Sequence, residues 1–199
     1  MLAFWHFKKK AQLVAPALVL HTPRLRLRLI RIQDARHFSQ YAGDPKVARW
    51  MFSFPSPYPY RRARARIRDM VREYRAGHAL PMVVETRQNH QFIGVAVMFH
   101  DEDKHKGELA YWIAQPFWHR GYGREAVSAL MDHATHLGIE NLYAMVIAGN
   151  HASARLLKSL GFRLKDKHNR QDSSGRNVIL LHYQAYVGTR KKNLFSSQS

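Results

Sequence analysis

Residues 24–32 read RLRLRLIRI, and no other stretch leaves the backbone so little choice. Leu25, Leu27 and Leu29 recur at every second position, with Arg24, Arg26 and Arg28 between them. A helix, turning once in about 3.6 residues, would scatter those leucines around its circumference; a strand puts them all on one side. The segment is therefore expected to be a half-exposed strand, and the rest of the chain must cover its leucine side.

Beyond this strand, turn and cap residues punctuate the chain. Asp34 is expected to cap a short helix ending near Gly43, and Asp44-Pro45 to open a second, with aspartate at the cap and proline at the first helical position. The three prolines of FPSPYPY, 54–60, remove donors and fix backbone angles, so this is a rigid aromatic loop. Ile67, Met70, Val71 and Tyr74 then repeat at helical spacing up to Gly77. Strands near 80–86 and 91–100 flank the polar turn 87–90, a hairpin. A polar patch at 101–106 leads into a strand over 107–115 and a helix from Gly121 to about 137, closed by Gly138. A strand at 141–148, a helix at 151–160 stopped by Gly161, and strands near 162–168 and 177–187 complete the chain. The order β-α-α-α-β-β-β-α-β-α-β-β predicts an α+β fold with a mixed sheet, hairpin-rich at first and carrying a β-α-β unit later.

The 199 residues suit one domain with a real core. There is no cysteine, which excludes disulfides, thiolate metal sites and cysteine nucleophiles and fits a reducing, cytoplasmic setting. The histidines and carboxylates show no metal-ligand spacing, so no metal is expected. No apolar run approaches the roughly 20 residues that span a bilayer, so no membrane partner is expected. The start, 1–21, reads as an extension, since Pro16 interrupts its apolar run; 188–199 reads as a basic tail. The net charge of +18 favours polyanionic neighbours, RNA among them, although arginine runs such as 61–66 also suit a solvated helix face.

The stretch FWHRGYGREA, 117–126, places two glycines and two arginines where a strand passes into a helix. A helix start leaves backbone N–H groups without partners and carries a partial positive charge, and glycines let an anion approach. The stretch suits a phosphate, although glycine also marks ordinary turns. It lacks the lysine and hydroxyl of a P-loop.

Here the sequence resembles the Gcn5-related N-acetyltransferases (GNAT), whose pyrophosphate loop reads Gln/Arg-x-x-Gly-x-Gly/Ala. Gly121 and Gly123 match, and Trp118 stands where Gln or Arg is usual, as in the Rim-type subgroup that acetylates ribosomal-protein N-termini. GELAYWIAQPFWHRGYG is similar to that subgroup's strand and loop, NHASARLLKSLGF to its Asn-x-x-Ser helix, and TPRLRLRLI with DPKVARWM to its opening. The resemblance covers about residues 22–187. It implies the GNAT fold, a mixed, mostly antiparallel sheet flanked by helices. It also implies acetyl-CoA as co-substrate and an amine acceptor, most simply the N-terminal amine of a ribosomal protein. A small-molecule amine, a basic ribosome- or nucleic-acid-binding module, and a CoA sensor are the alternatives, in a monomer or homodimer.

Acetyl transfer to an amine needs a base, an oxyanion site and a proton for the leaving thiolate. The tyrosine that many family members place before Gly-Phe is Leu157 here, so the resemblance points to Ser153 as proton donor, with Asn150 touching CoA and capping the helix. Glu108 is the candidate base, or else an ion-pair partner for arginine; His100, His105 and His119 are further candidates. Backbone N–H groups around Trp112, Ile113 and Ala114 would hold the oxyanion. Trp118, His119, Arg120, Gly121, Tyr122, Gly123 and Arg124 would surround the CoA phosphates. Tyr111 and Trp112 would line the acetyl channel, though alternation makes one of them a core residue. Trp50, Phe52 and Tyr111 would meet the acceptor, with Phe54, Tyr58 and Tyr60 shaping a pocket or packing their loop down.

Overall fold

A computed structural model describes residues 18–101, 105–172 and 175–188; most of the expected extension and all but Gly188 of the expected tail lie outside the described residues. The eight strands form one sheet in the order β1-β2-β3-β4-β5-β6-β8-β7. β1 (Val19–His21) pairs with β2 (Leu25–Leu29), so the end of the expected extension belongs to the sheet. Leu25 and Leu27 are fully buried, as their alternation requires. β3 (Ala79–Thr86) and β4 (Phe92–Asp101) make the hairpin, and β5 (Lys106–Ile113) pairs antiparallel with β4. β6 (Asn141–Ile147) lies parallel to β5, the one parallel pairing in the sheet among the described residues, and β7 (Arg163–Gln171) and β8 (Asn177–Tyr186) finish it.

Helices cover both faces. α1 (Ala35–Ala42) and α3 (Tyr60–Arg75) pack together, α1 against β4 and α3 against β3. α4 (Tyr122–His136) packs against β2, β4 and β5 and meets α5 (His151–Ser159). The expected faces bury: Ala63, Ile67, Met70 and Tyr74 of α3, and Ala126, Val127, Leu130, Met131 and Ala134 of α4. Gly77, Gly138 and Gly161 take positive φ just past α3, α4 and α5, the backbone turn that ends a helix cheaply only with glycine.

Two aspartates that look alike in the sequence behave differently. Asp44 caps the short α2 (Pro45–Ala48), its Oδ1 accepting from Lys46 N at 2.8 Å. Asp34 makes no cap bond for α1. A 3-10 turn, Ile32–Asp34, precedes the helix, and the Asp34 carboxylate accepts instead from both Arg28 Nη atoms, at 2.9 and 2.7 Å, and from Arg31 N. Arg28 also reaches Glu85 Oε1 at 2.6 Å. A guanidinium held between two buried carboxylates outcompetes a cap. Among the described residues, no helix is long and apolar enough to cross a membrane.

Candidate active site

The sheet opens at its centre. The β5–β6 ladder runs only from Lys106/Asn141 to Leu109/Ala144, while β5 continues to Ile113 and β6 to Ile147. In a strand, alternate residues turn their N–H and C=O to opposite neighbours. Ala114 N donates to the Ile93 carbonyl at 2.8 Å, on the β4 side, and this phase turns Trp112 to β4 as well. Tyr111 and Ile113 therefore direct their backbone groups to the gap. Trp118 Nε1 meets one of them, donating to the Ile113 carbonyl at 2.6 Å. The expectation of oxyanion donors around Trp112, Ile113 and Ala114 narrows accordingly. Ala114's N–H is spent and Trp112's faces away, leaving Ile113 with Tyr111.

The glycine loop stands just beyond the gap. Phe117 closes a short 3-10 turn, and the chain crosses Trp118, His119 and Arg120 to reach Gly121, where α4 begins. His119 (φ 60°) and Gly121 (φ 77°) both take the left-handed conformation. No side chain caps α4, so its first N–H groups stay open to an anion. α5 provides the contrast, because Asn150 Oδ1 accepts from Ser153 N at 3.1 Å and closes that helix start. Gly123 sits close to its neighbours: a Cβ there would lie 3.0 Å from Leu156 Cδ1, whose side chain would have to give by a few tenths of an ångström. Arg120 and Arg124 are exposed; Arg124 Nε donates to Ser159 Oγ at 3.2 Å, and the Arg120 guanidinium lies over the Phe117 ring.

Sequence reasoning missed what holds this loop. Arg24 donates Nη1 to the Arg120 carbonyl at 2.9 Å, pairs with Glu125 at 2.6 Å and covers the Tyr122 ring at 4.9 Å. Burial acts to raise the Glu125 pKa, but hydrogen bonds from Thr22 and Arg24 outweigh it and hold the carboxyl below its ordinary value. The available signal was the acid in the first turn of α4 beside so many arginines.

The catalytic candidates separate onto two faces. Glu108 lies on the face shared with Trp112, and the register sets it between Phe99 and Tyr143. Among the described residues it has no ion-pair partner, and burial pushes its carboxyl pKa up. Tyr111 and Ser153 meet on the opposite face, toward α5, with Tyr111 Oη 2.9 Å from Ser153 Oγ. Burial pushes the Tyr111 phenol up to about 12, against the opposing hydrogen bond with Ser153. The other base candidates lie elsewhere. His100 is buried on the Tyr111 face, His105 binds the Gly138 carbonyl at the far end of β5, and His119 is exposed in the loop.

Trp112 is a core residue, 6% exposed, its ring against Phe38, Phe54 and Phe92. Phe54 and the buried Tyr58 join that cluster and pack their loop down. Trp50 and Phe52 go elsewhere, half-buried against Ile147, Val178 and Leu180 on the Glu108 face. Tyr111, grouped with them from the sequence, lies on the other side of the sheet. Further along the Glu108 face come Tyr143, His182 (ring centroids 5.1 Å apart), and then Asp166 and His168, whose donor atoms lie within 4.8 Å of one another and of His182's. This set could hold a metal ion. Its members sit on two strands and show no ligand spacing in the sequence.

Residues 24–163 match the family model described as the acetyltransferase (GNAT) domain. An uncharacterized N-acetyltransferase, p20, of Bacillus licheniformis is 31% identical over 147 residues, covering 72% of this chain and 82% of its own. Among solved structures, RimJ of Mycobacterium smegmatis in complex with CoA-disulfide superposes with a TM-score of 0.74 at 21% identity, covering 85% of this chain and 86% of that one. RimL, a ribosomal L7/L12 alpha-N-protein acetyltransferase, gives a TM-score of 0.76 at 16% identity over 85% of this chain and 94% of that one. These superpositions show a shared fold.

Proposed function

This chain belongs to the GNAT acetyltransferase family, and we propose that it moves the acetyl group of acetyl-CoA to the N-terminal amine of a protein, a ribosomal protein foremost. Family members use acetyl-CoA. The loop 118–124 is its pyrophosphate seat, with the open N–H groups at the start of α4 facing the phosphates. The acetyl thioester enters the gap between β5 and β6, and the N–H groups of Tyr111 and Ile113 receive the oxyanion.

The observation that carries the mechanism is the division of proton chemistry between the two faces of β5. Glu108, with no ion-pair partner among the described residues and with a raised pKa, takes a proton from the acceptor ammonium, directly or through water, and the free amine attacks the thioester. The C–N bond forms from that side and the C–S bond breaks. The thiolate leaves toward the opposite face, where the Tyr111–Ser153 pair gives it a proton, while the acylated nitrogen sheds its second proton to water and water reprotonates the pair. A phenol pushed up to about 12 stays protonated at neutral pH and keeps Ser153 supplied. Trp50 and Phe52 lie on the Glu108 face and border the acceptor. The absence of cysteine supports work in the cytoplasm.

Steady-state assays with peptides bearing free ribosomal-protein N-termini, alongside a panel of small amines, test this reading. We expect peptide turnover with a rate that climbs with pH until Glu108 is ionised. A raised pKa moves that climb above the ordinary carboxylate range. Glu108→Gln should lower kcat by about 10²–10⁴-fold and remove the climb. Turnover of small amines alone would overturn the acceptor assignment. Full activity in Glu108→Gln would overturn the base.

A further inference from the structure

Among the described residues, a dense row of charge lies outside the reacting centre, on α3. Arg61, Arg64, Arg68, Arg72 and Arg75 are separated by three, four, four and three residues. At about 100° per residue they fall in one sector about 80° wide and about 21 Å long. All five are exposed, while Ala63, Ile67, Met70 and Tyr74 carry the helix's buried face. Like charges three and four apart repel and cost an isolated helix about 0.2–0.5 kcal/mol per pair. The helix offsets little of this. Arg72 pairs with Asp69, and among the described residues Arg61, Arg64, Arg68 and Arg75 have no carboxylate partner.

An aromatic group stands at the start of the stripe. Tyr60 is 50% exposed, and the Arg64 guanidinium lies 5.9 Å from its ring centre. Tyr60 also lines a hollow of about 370 Å³ with Arg36, Ser39 and Gln40. A row of arginines ending on an exposed aromatic ring fits a chain of phosphates that carries a base to stack. An anionic membrane fits less well. The apolar face of α3 is committed to the core, and the stripe offers only Tyr60 for insertion.

From this we infer that α3 is a docking surface for RNA, in which the five arginines neutralise successive phosphates and Tyr60 stacks on an unpaired base. The inference stands apart from acetyl transfer.

The test is fluorescence anisotropy of a labelled single-stranded RNA 20-mer with the full chain over a range of salt concentrations. Wild type is compared with R64Q/R68Q/R72Q and with R64K/R68K/R72K, and phosphatidylserine vesicles serve as the competing anion. We expect RNA binding whose log K falls linearly with log salt. The glutamine variant should lower that slope by about 2 and weaken binding at least tenfold at low salt, at about 0.7 per phosphate contact. The lysine variant should keep most of the slope. Acetyl-CoA titration of the glutamine variant should match wild type, which reports both its folding and the integrity of the transferase site. An unchanged slope in the glutamine variant, or binding to vesicles without binding to RNA, would overturn the inference. Loss of acetyl-CoA turnover with any amine in wild type would sink the proposed function and leave this inference standing.

Discussion

Gly121 and Gly123 are two residues apart and are glycine for different reasons. Gly121 has φ 77°, and only the tip of Arg24 lies within 4 Å of where its Cβ would be. Its requirement is conformational, and a left-handed residue with a side chain costs about 1–2 kcal/mol. Gly123 is constrained by neighbours, with Leu156 3.0 Å and Ile113 3.6 Å from a hypothetical Cβ. Gly121→Ala is therefore expected to lower stability by about 1–2 kcal/mol, read by urea unfolding. Gly123→Val is expected to abolish calorimetrically detectable acetyl-CoA binding by wedging α4 from α5 and Ile113, while the protein stays folded by circular dichroism. The sequence marked both positions, because glycines at a strand-to-helix passage are a local signal. It could not say which was steric and which conformational, since that depends on Leu156, more than thirty residues away. The Tyr111–Ser153 bond spans 42 residues and was invisible for the same reason.

Among elements, helix ends and strand spans were legible wherever the deciding residues were near in the chain. Asp44-Pro45 caps α2, Gly138 and Gly161 end α4 and α5, and the alternation of 24–32 buries Leu25 and Leu27. Asp34 shows where such reasoning stops, because Arg28 draws its carboxylate away from the helix it precedes. That contact joins β2, the 3-10 turn and β3 through Arg28, Asp34 and Glu85, all nearly buried. The two carboxylates hold the Arg28 guanidinium far above its ordinary pKa. Arg28→Met leaves Asp34 without its cation and Glu85 with only the more exposed Arg26, 3.7 Å away. We expect a loss of about 3–5 kcal/mol in urea unfolding, with partial recovery in Arg28→Met/Glu85→Gln, where one charge is also removed.

At the scale of the molecule, the order of elements from β2 onward and the position of the candidate phosphate loop came from punctuation and period, while β1, the eighth strand of the sheet, fell inside the expected extension and was missed. The opening between β5 and β6 was missed too, because strand divergence depends on which rungs form and not on either strand's own residues. A ligand that binds only the folded chain adds stability by mass action. Acetyl-CoA at about 100 times its Kd should contribute about 2.7 kcal/mol, which for a chain of this size raises Tm by roughly 5–10 °C by differential scanning fluorimetry. Gly123→Val should show no such rise. The opening also sets what kind of molecule can lodge there. Two strands that share four rungs and then diverge leave the sheet with an interior edge, shielded from other chains by the halves on either side. Exposed edges invite indiscriminate pairing; this one lies within the sheet, between β5 and β6. A thin chain carrying amides would meet the backbone groups that Tyr111 and Ile113 turn to the gap as one more strand of the sheet would.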